Sequence, residues 1–370
     1  MELLTVFSAT PVSFHRYSSM SSRRITHAVP IFEKETRRPI HIRIGSNPSI
    51  IIVPYGFFMG IGFAALVFVS LTFGAPSHHG FKSLSYALNL TLFSAVLFAR
   101  LLSIIMEDGV AMIITRPVPT LLRPGFWLHG GIFGAAAGAS LAWKLGHVES
   151  FSMFSGSLAV GLPLYETFSR IGCHTYGCCY GRVAELSNND SLTSQTLWRL
   201  LPFPAVRYSH PTHYAVTRLN PSLLDKPLVP IQLISAALFL LLFLFVSLPT
   251  VCITTVELAG STTLVCHAAV RLITEAYRAD YRGREGRRLS MTGKMALIQA
   301  LAGVVWLFYS PKVPWQPHYG GQHVGSPYML GGVQERVQKS VFAVAFGIAV
   351  YGVHIGEVGA WAITKGREQR

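Results

Sequence analysis

The sequence predicts an all-α, polytopic membrane protein of seven to eight transmembrane helices, with a short extended N-terminal arm and a small extramembrane head. Three observations lead there. Of 370 residues, 51% are apolar and 13% charged, against about 25% charged in an ordinary soluble domain. Mean hydropathy is +0.42. The apolar residues also gather in blocks of about 20, the length that crosses a bilayer's hydrocarbon core as a helix. This excludes disorder, a fibrous repeat and a disulfide-stapled secreted domain. The five cysteines agree, because the number is odd and three lie between 173 and 179. Lys and Arg outnumber Asp and Glu by 31 to 17, a net charge of +14. In a chain full of spans, anionic membrane lipid is the expected partner of that charge, and no nucleic acid is expected.

Taken in order, residues 1–49 form a basic arm. Its start is mildly apolar, but the charges of Arg16, Arg23 and Arg24 follow the apolar stretch, whereas a secretory leader carries them first. The Ser/Arg-rich run Ser18–Thr26 would suit an organelle transit segment, although Glu2, Glu33 and Glu35 dilute that signature. The alternation Ile40-His41-Ile42-Arg43-Ile44 predicts a short strand near the membrane interface. Eight apolar blocks follow, at roughly 50–72, 84–106, 126–146, 151–171, 228–249, 251–275, 291–310 and 340–363. Lipid-facing spans of this length must be helices, since only a helix satisfies its own backbone polar groups. In the third block Gly130, Gly134 and Gly138 recur every four residues and share one face, which predicts close helix packing. The polar stretch 172–227 is too long for a structureless loop and is expected to be the extramembrane head. The domain division is thus 1–49, 50–310 with 172–227 inserted, and 311–370 as a C-terminal extension with an additional hydrophobic span. No internal repeat is visible, which argues against a transporter.

Ionisable groups inside spans are costly and mark function by default. They include Arg100, His129, Glu166, Arg170, His267, Arg271 and Glu275. Three constellations stand out. His129-Gly130-Gly131 joins a group that exchanges a proton near neutral pH to two residues without side-chain bulk. A histidine satisfied inside the bundle is the equal alternative. Arg170 to Arg182, RIGCHTYGCCYGR, puts two guanidiniums around a glycine-rich turn, an arrangement suited to clamping a phosphodiester. Its Cys173, His174, Cys178 and Cys179 have poor zinc spacing, because adjacent cysteines make poor co-ligands, so no metal is expected. A tight turn with buried thiols is the plainer reading. Arg271, Glu275 and Arg278 lie at i, i+4 and i+7, on one helix side. They form either a structural ion pair or a second phosphate contact oriented by Glu275.

Together these elements resemble the bacterial prolipoprotein diacylglyceryl transferases. The resemblance rests on Tyr55-Gly56, Arg100, His129-Gly130-Gly131, the signature Arg170–Arg182, Pro230-Ile231-Gln232-Leu233, Arg271/Glu275/Arg278 and Leu289-Ser290-Met291, in the family's order over about 31–310. It implies transfer of the diacylglyceryl group of phosphatidylglycerol to the lipobox cysteine of a prolipoprotein, with release of glycerol phosphate and without a cofactor. It implies His129 as base, Arg170 and Arg271 as holders of the leaving phosphate, Glu275 as the positioner of Arg271, and Tyr55 as a head-group contact. Gly130, Gly131, Arg100, Cys173, Gly181, Arg182, Gln232 and Arg278 are the implied substrate-binding positions. The setting implied is a plasma (inner) membrane, an organelle membrane being the alternative. The chain departs from the family at Cys173, where many members have Asn, and at Cys178, where some have Glu. Ile234-Ser235 replaces a Tyr-Glu, and the last apolar block lies beyond the family's spans. The rival reading is a lipid-binding or lipid-transporting protein that keeps the fold without the transfer. The head and arm are expected on the outer face by resemblance, although the positive-inside rule taken alone favours the cytoplasm.

Overall fold

A computed structural model describes residues 33–35, 42–44, 50–73, 80–107, 114–115, 125–184, 203–208, 221–252, 255–279, 290–310 and 327–355. The run Ser18–Thr26 lies outside them, as do most of the loop 276–290 and the middle of the head.

The protein is an all-α polytopic membrane protein. Its helices are α1 (Pro54–Phe73), α2 (Gly80–Glu107), α3 (Leu128–Lys144), α4 (Phe151–Tyr176), α5 (Ile231–Cys252), α6 (Val256–Glu275), α7 (Met291–Tyr309) and α8 (Pro327–Gly347). Among them, α1, α2, α5, α6 and α7 are long and apolar enough to cross a bilayer. Large apolar side chains such as Phe93, Phe245, Leu301 and Phe308 stand exposed on their outer faces, as a lipid-solvated bundle requires.

Helix starts follow their capping residues. The Ser150 hydroxyl accepts from Met153 N–H at α4, Thr255 from Leu258 N–H at α6, and Ser290 from Gly293 N–H at α7, each at 3.1 Å. Helix α4 is central, packed against α1, α5 and α6. Helices α2 and α3 pair through the glycine stripe. A Cβ on Gly130, Gly134 or Gly138 would lie within 2.4 to 2.7 Å of the α2 backbone. The stripe is therefore a packing face, as the spacing predicts.

The described parts of the arm are extended, as expected. Strand β1 (Glu33–Glu35) pairs in parallel with β4 (Ala205–Arg207) of the head. Strand β2 (Ile42–Ile44) pairs antiparallel with β3 (Ile50–Ile52). The last apolar block departs from expectation. It is not one helix through 340–363: α8 ends at Gly347, a π-helical turn covers Ile348–Gly352, and β5 (Val353–Ile355) adds to β3. Two features account for the break. Gly347 meets Gly60 and Gly352 meets Gly56 with no room for a side chain between the backbones, which locks the segment onto α1. Val353 and Ile355 are β-branched and pair with the isoleucine-rich β3. The chain beyond 355 lies outside the described residues.

Candidate functional site

The centre of the bundle holds a cavity of about 530 Å3, walled by α1, α2, α3, α4, α6 and α7. Its walls are mostly apolar, and its strongest charges are Glu166, Arg170 and Arg271. Glu166 and Arg170 are one helical turn apart on α4. Arg170 Nη2 and Nε donate to Glu166 Oε2 at 2.7 and 3.1 Å. Arg271, from α6, brings Nη1 within 3.8 Å of the same oxygen. All three side chains are buried. Two guanidiniums thus meet at one carboxylate on the wall of an apolar cavity.

The expected site residues fall into three groups. Tyr55, Gly131, Arg170, Cys173 and Arg271 line the cavity. A second group stitches the signature's end to the end of α6. Arg182 N–H donates to Tyr277 O at 2.9 Å and Ala279 N–H to Tyr180 O at 3.1 Å, with Gly181 bridged to Arg278. Glu275 accepts from Ser290 Oγ at 2.8 Å and faces Arg278 at 3.8 Å. The sequence offers Arg271 one nearby carboxylate, Glu275; the fold adds Glu166 from another helix. Arg182 is exposed. A Cβ on Gly181 would stand 2.2 Å from Val229 O, so its missing side chain makes room for protein backbone.

The third group lies outside the cavity lining. His129 is 2% exposed, in the first turn of α3. It is flanked in sequence by Leu128, a wall residue, and Gly130, which packs on α2. Arg100 Nη1 donates to Gly125 O at 2.8 Å and so fastens α2 to the start of α3. Gln232 sits under the cysteine turn. Its Nε2 donates to Cys178 O at 3.0 Å and to Tyr208 Oη at 3.1 Å. Tyr208 in turn donates to His174 O at 3.2 Å. Burial pushes the Tyr208 hydroxyl well above its ordinary range, so it stays protonated and able to donate.

The cysteine turn itself differs from the expected geometry. Gly177 and Cys179 both take left-handed backbone, φ 76° and 56°. They fold the chain back so that the Sγ atoms of Cys173, Cys178 and Cys179 all lie within 4.8 Å of one another. Adjacent cysteines therefore converge here, against the premise drawn from their spacing.

Sequence reasoning counted Glu166 among the intramembrane ionisable groups but gave it no role in the site, and it did not single out Tyr351. The signal for Glu166 was present, as an intramembrane carboxylate four residues before Arg170. Tyr351 had none. It reaches the cavity from the C-terminal extension, with its ring 4.4 Å from Phe126 and 6.3 Å from Tyr55.

The family model for prolipoprotein diacylglyceryl transferase matches residues 39–309. A relative in Clostridium perfringens, phosphatidylglycerol–prolipoprotein diacylglyceryl transferase 2, is 30% identical over 142 residues, 38% of this chain and 55% of the relative. A phosphatidylglycerol–prolipoprotein diacylglyceryl transferase of Dehalococcoides mccartyi is 27% identical over 144 residues, 39% of this chain and 53% of its own. The chain spans about half the length of the curated relatives it matches. With the family model covering most of the chain, and the signature arginine facing a central cavity, this protein belongs to the prolipoprotein diacylglyceryl transferase family.

Proposed function

We propose that this protein transfers the diacylglyceryl group of phosphatidylglycerol to the cysteine thiol of a prolipoprotein lipobox, releasing glycerol phosphate. The single observation that carries the reading is the buried clamp: Arg170 and Arg271, from two helices, meet at Glu166 on the wall of an apolar chamber. A phospholipid suits both features, with its phosphate at the guanidinium forks and its acyl chains along the apolar walls.

In this reading the two guanidiniums hold the phosphate and stabilise the charge that gathers on it as the glyceryl carbon–oxygen bond breaks. Arg170, with Nε and Nη2 drawn to Glu166, is held in one orientation by that carboxylate. Tyr55, at the cavity wall near Tyr176, contacts the head group. Gly131 lines the cavity wall without side-chain bulk beside Ala95 and Ala99. Gln232, Gly181, Arg182, Glu275 and Arg278 hold the turn that carries Cys173 and the α6 end that carries Arg271. His129, by family resemblance, accepts the acceptor thiol's proton. Residues 50–310 form the transferase domain, 1–49 the arm, 172–227 the head and 311–370 an added segment, in a plasma membrane.

The test is incubation of the purified protein with phosphatidylglycerol labelled in its acyl chains and a lipobox peptide. Thioether-linked product is expected. A protein that binds the lipid but yields no product in the presence of peptide would be a lipid binder instead.

A further inference from the structure

Resting on the transferase reading, we propose that Tyr165 determines specificity in the chamber by donating its hydroxyl hydrogen to an ester carbonyl of the bound lipid, and that Tyr351 is its positioning residue.

The cavity-facing residues of α4 follow the order of groups along a phospholipid. Arg170 belongs to the phosphate end. Five residues earlier, about 7.5 Å along the helix axis, Tyr165 faces the same cavity. The next cavity-facing residues of α4 are Leu162, Ala159 and Leu158. In a phospholipid the ester carbonyls stand between the phosphate and the acyl chains. A lipid with its phosphate at Arg170 and its chains along this apolar wall therefore brings its ester carbonyls to the level of Tyr165.

The two tyrosines are built as a fixed donor. Both are buried, both line the cavity, and their hydroxyls share a hydrogen bond. Phe63 packs against both rings, with centroids 5.0 Å from Tyr165 and 5.8 Å from Tyr351. A Cβ on Gly62 would stand 3.1 Å from Tyr165 Cδ2, so the ring is seated close to the α1 backbone. Tyr351 comes from the π-helical turn Ile348–Gly352, beyond the residues 39–309 that match the family. A hydroxyl donates one hydrogen and accepts at two lone pairs. Tyr165 can therefore accept from Tyr351 and donate to the lipid at once.

The lipid needs such a donor. An ester carbonyl drawn into the chamber leaves its water behind, and an acceptor buried without a donor costs free energy. In apolar surroundings the hydrogen bond that replaces the water is stronger than in water. The carbonyls take no part in the bond exchange. The thiol's proton passes to the base, the carbon–sulfur bond forms, and the glyceryl carbon–oxygen bond to phosphate breaks, its electron pair leaving with glycerol phosphate. A lipid with ether-linked chains and the same head group can undergo the same exchange but offers no carbonyl. The site therefore selects diacyl over dialkyl lipid.

The experiment uses the full chain in detergent, a lipobox peptide, and two phosphatidylglycerols of equal chain length, one diacyl and one dialkyl. The readout is the ratio of kcat/KM for the two lipids, with the binding of each measured in parallel without peptide. Comparing variants by this ratio cancels any intrinsic difference in reactivity between the lipids. Tyr165→Phe, which keeps the ring, should lower the diacyl rate about three- to tenfold, the effect of one hydrogen bond, and leave the dialkyl rate unchanged. Tyr351→Phe should shift the ratio in the same direction and add nothing to Tyr165→Phe. Tyr86→Phe, on the exposed side of α2, should keep the parent ratio. An unchanged ratio in Tyr165→Phe, or equal losses on both lipids, would overturn the proposal and leave the transferase reading standing. A Tyr351→Phe effect that adds in full to that of Tyr165→Phe would overturn the positioning role. With no thioether product from either lipid, a diacyl preference in binding that Tyr165→Phe abolishes would uphold the inference and defeat that reading; its absence would overturn both.

Discussion

At the scale of single residues, Glu166 carries the most consequential contacts of the site. One of its oxygens faces two guanidiniums, so its removal leaves two buried positive charges with less compensation. Glu166→Gln is expected to destabilise the protein by about 3–5 kcal/mol, the usual cost of breaking a buried pair from one side. Anionic lipid should recover part of that loss. Thermal unfolding in detergent, with and without added phosphatidylglycerol, reads both effects; a variant as stable as the parent would remove Glu166 from the clamp. Arg170→Lys and Arg271→Lys keep the charge and lose the planar fork. Each should lower transfer about 10²–10³-fold, as expected for a lost transition-state donor. His129→Ala should lower it about 10²–10⁴-fold if the histidine is the base, with membrane insertion unchanged. Near-normal rates in that variant would make His129 a packing residue of α3. The arginines were legible in the sequence because an intramembrane arginine is costly and rare. Their shared carboxylate was harder to see, because Glu166 meets Arg271 only where α4 crosses α6.

At the scale of elements, the C-terminal segment completes the chamber. α8 and the π turn lie against α1 through Gly60 and Gly347 and through Gly56 and Gly352. They deliver Tyr351 between Phe63, Phe126 and Tyr165. Tyr351→Ala is expected to cost about 3 kcal/mol, the low end for truncating a large buried aromatic. It should also raise KM for the lipid more than it lowers kcat, because the wall is widened while the charged clamp is untouched. Steady-state transfer at varied phosphatidylglycerol checks the split, and a pure kcat defect would place Tyr351 elsewhere in the reaction. The apolar block was visible in the sequence as a span. Its break into helix, π turn and strand was not, since hydropathy does not register which backbones must touch.

At the scale of the whole molecule, strand β1 of the arm and strand β4 of the head lie on one side of the bundle, because they pair. By family resemblance that side is expected to be the outer face, where lipid and acceptor would meet. Asp225, exposed in the head, is the reporter: Asp225→Cys in intact cells should react with a membrane-impermeant maleimide above the background of the parent chain. Reaction only after permeabilisation would reverse the orientation and exclude a secreted acceptor.

The sequence alone determined the class of this protein, the positions of most helices and the order of its motifs. Those follow from local rules: a bilayer demands apolar runs of about 20 residues closed on their own hydrogen bonds, and capping residues mark the helix starts. Tertiary structure decided which charges share a chamber, that Gln232 and Gly181 support backbone, that the extension lends the cavity a wall, and that three thiols converge. These are contacts between residues far apart in the chain, or consequences of two left-handed residues in a turn. Residue spacing along a chain carries no distance across a bundle, so only the packed helices could set them.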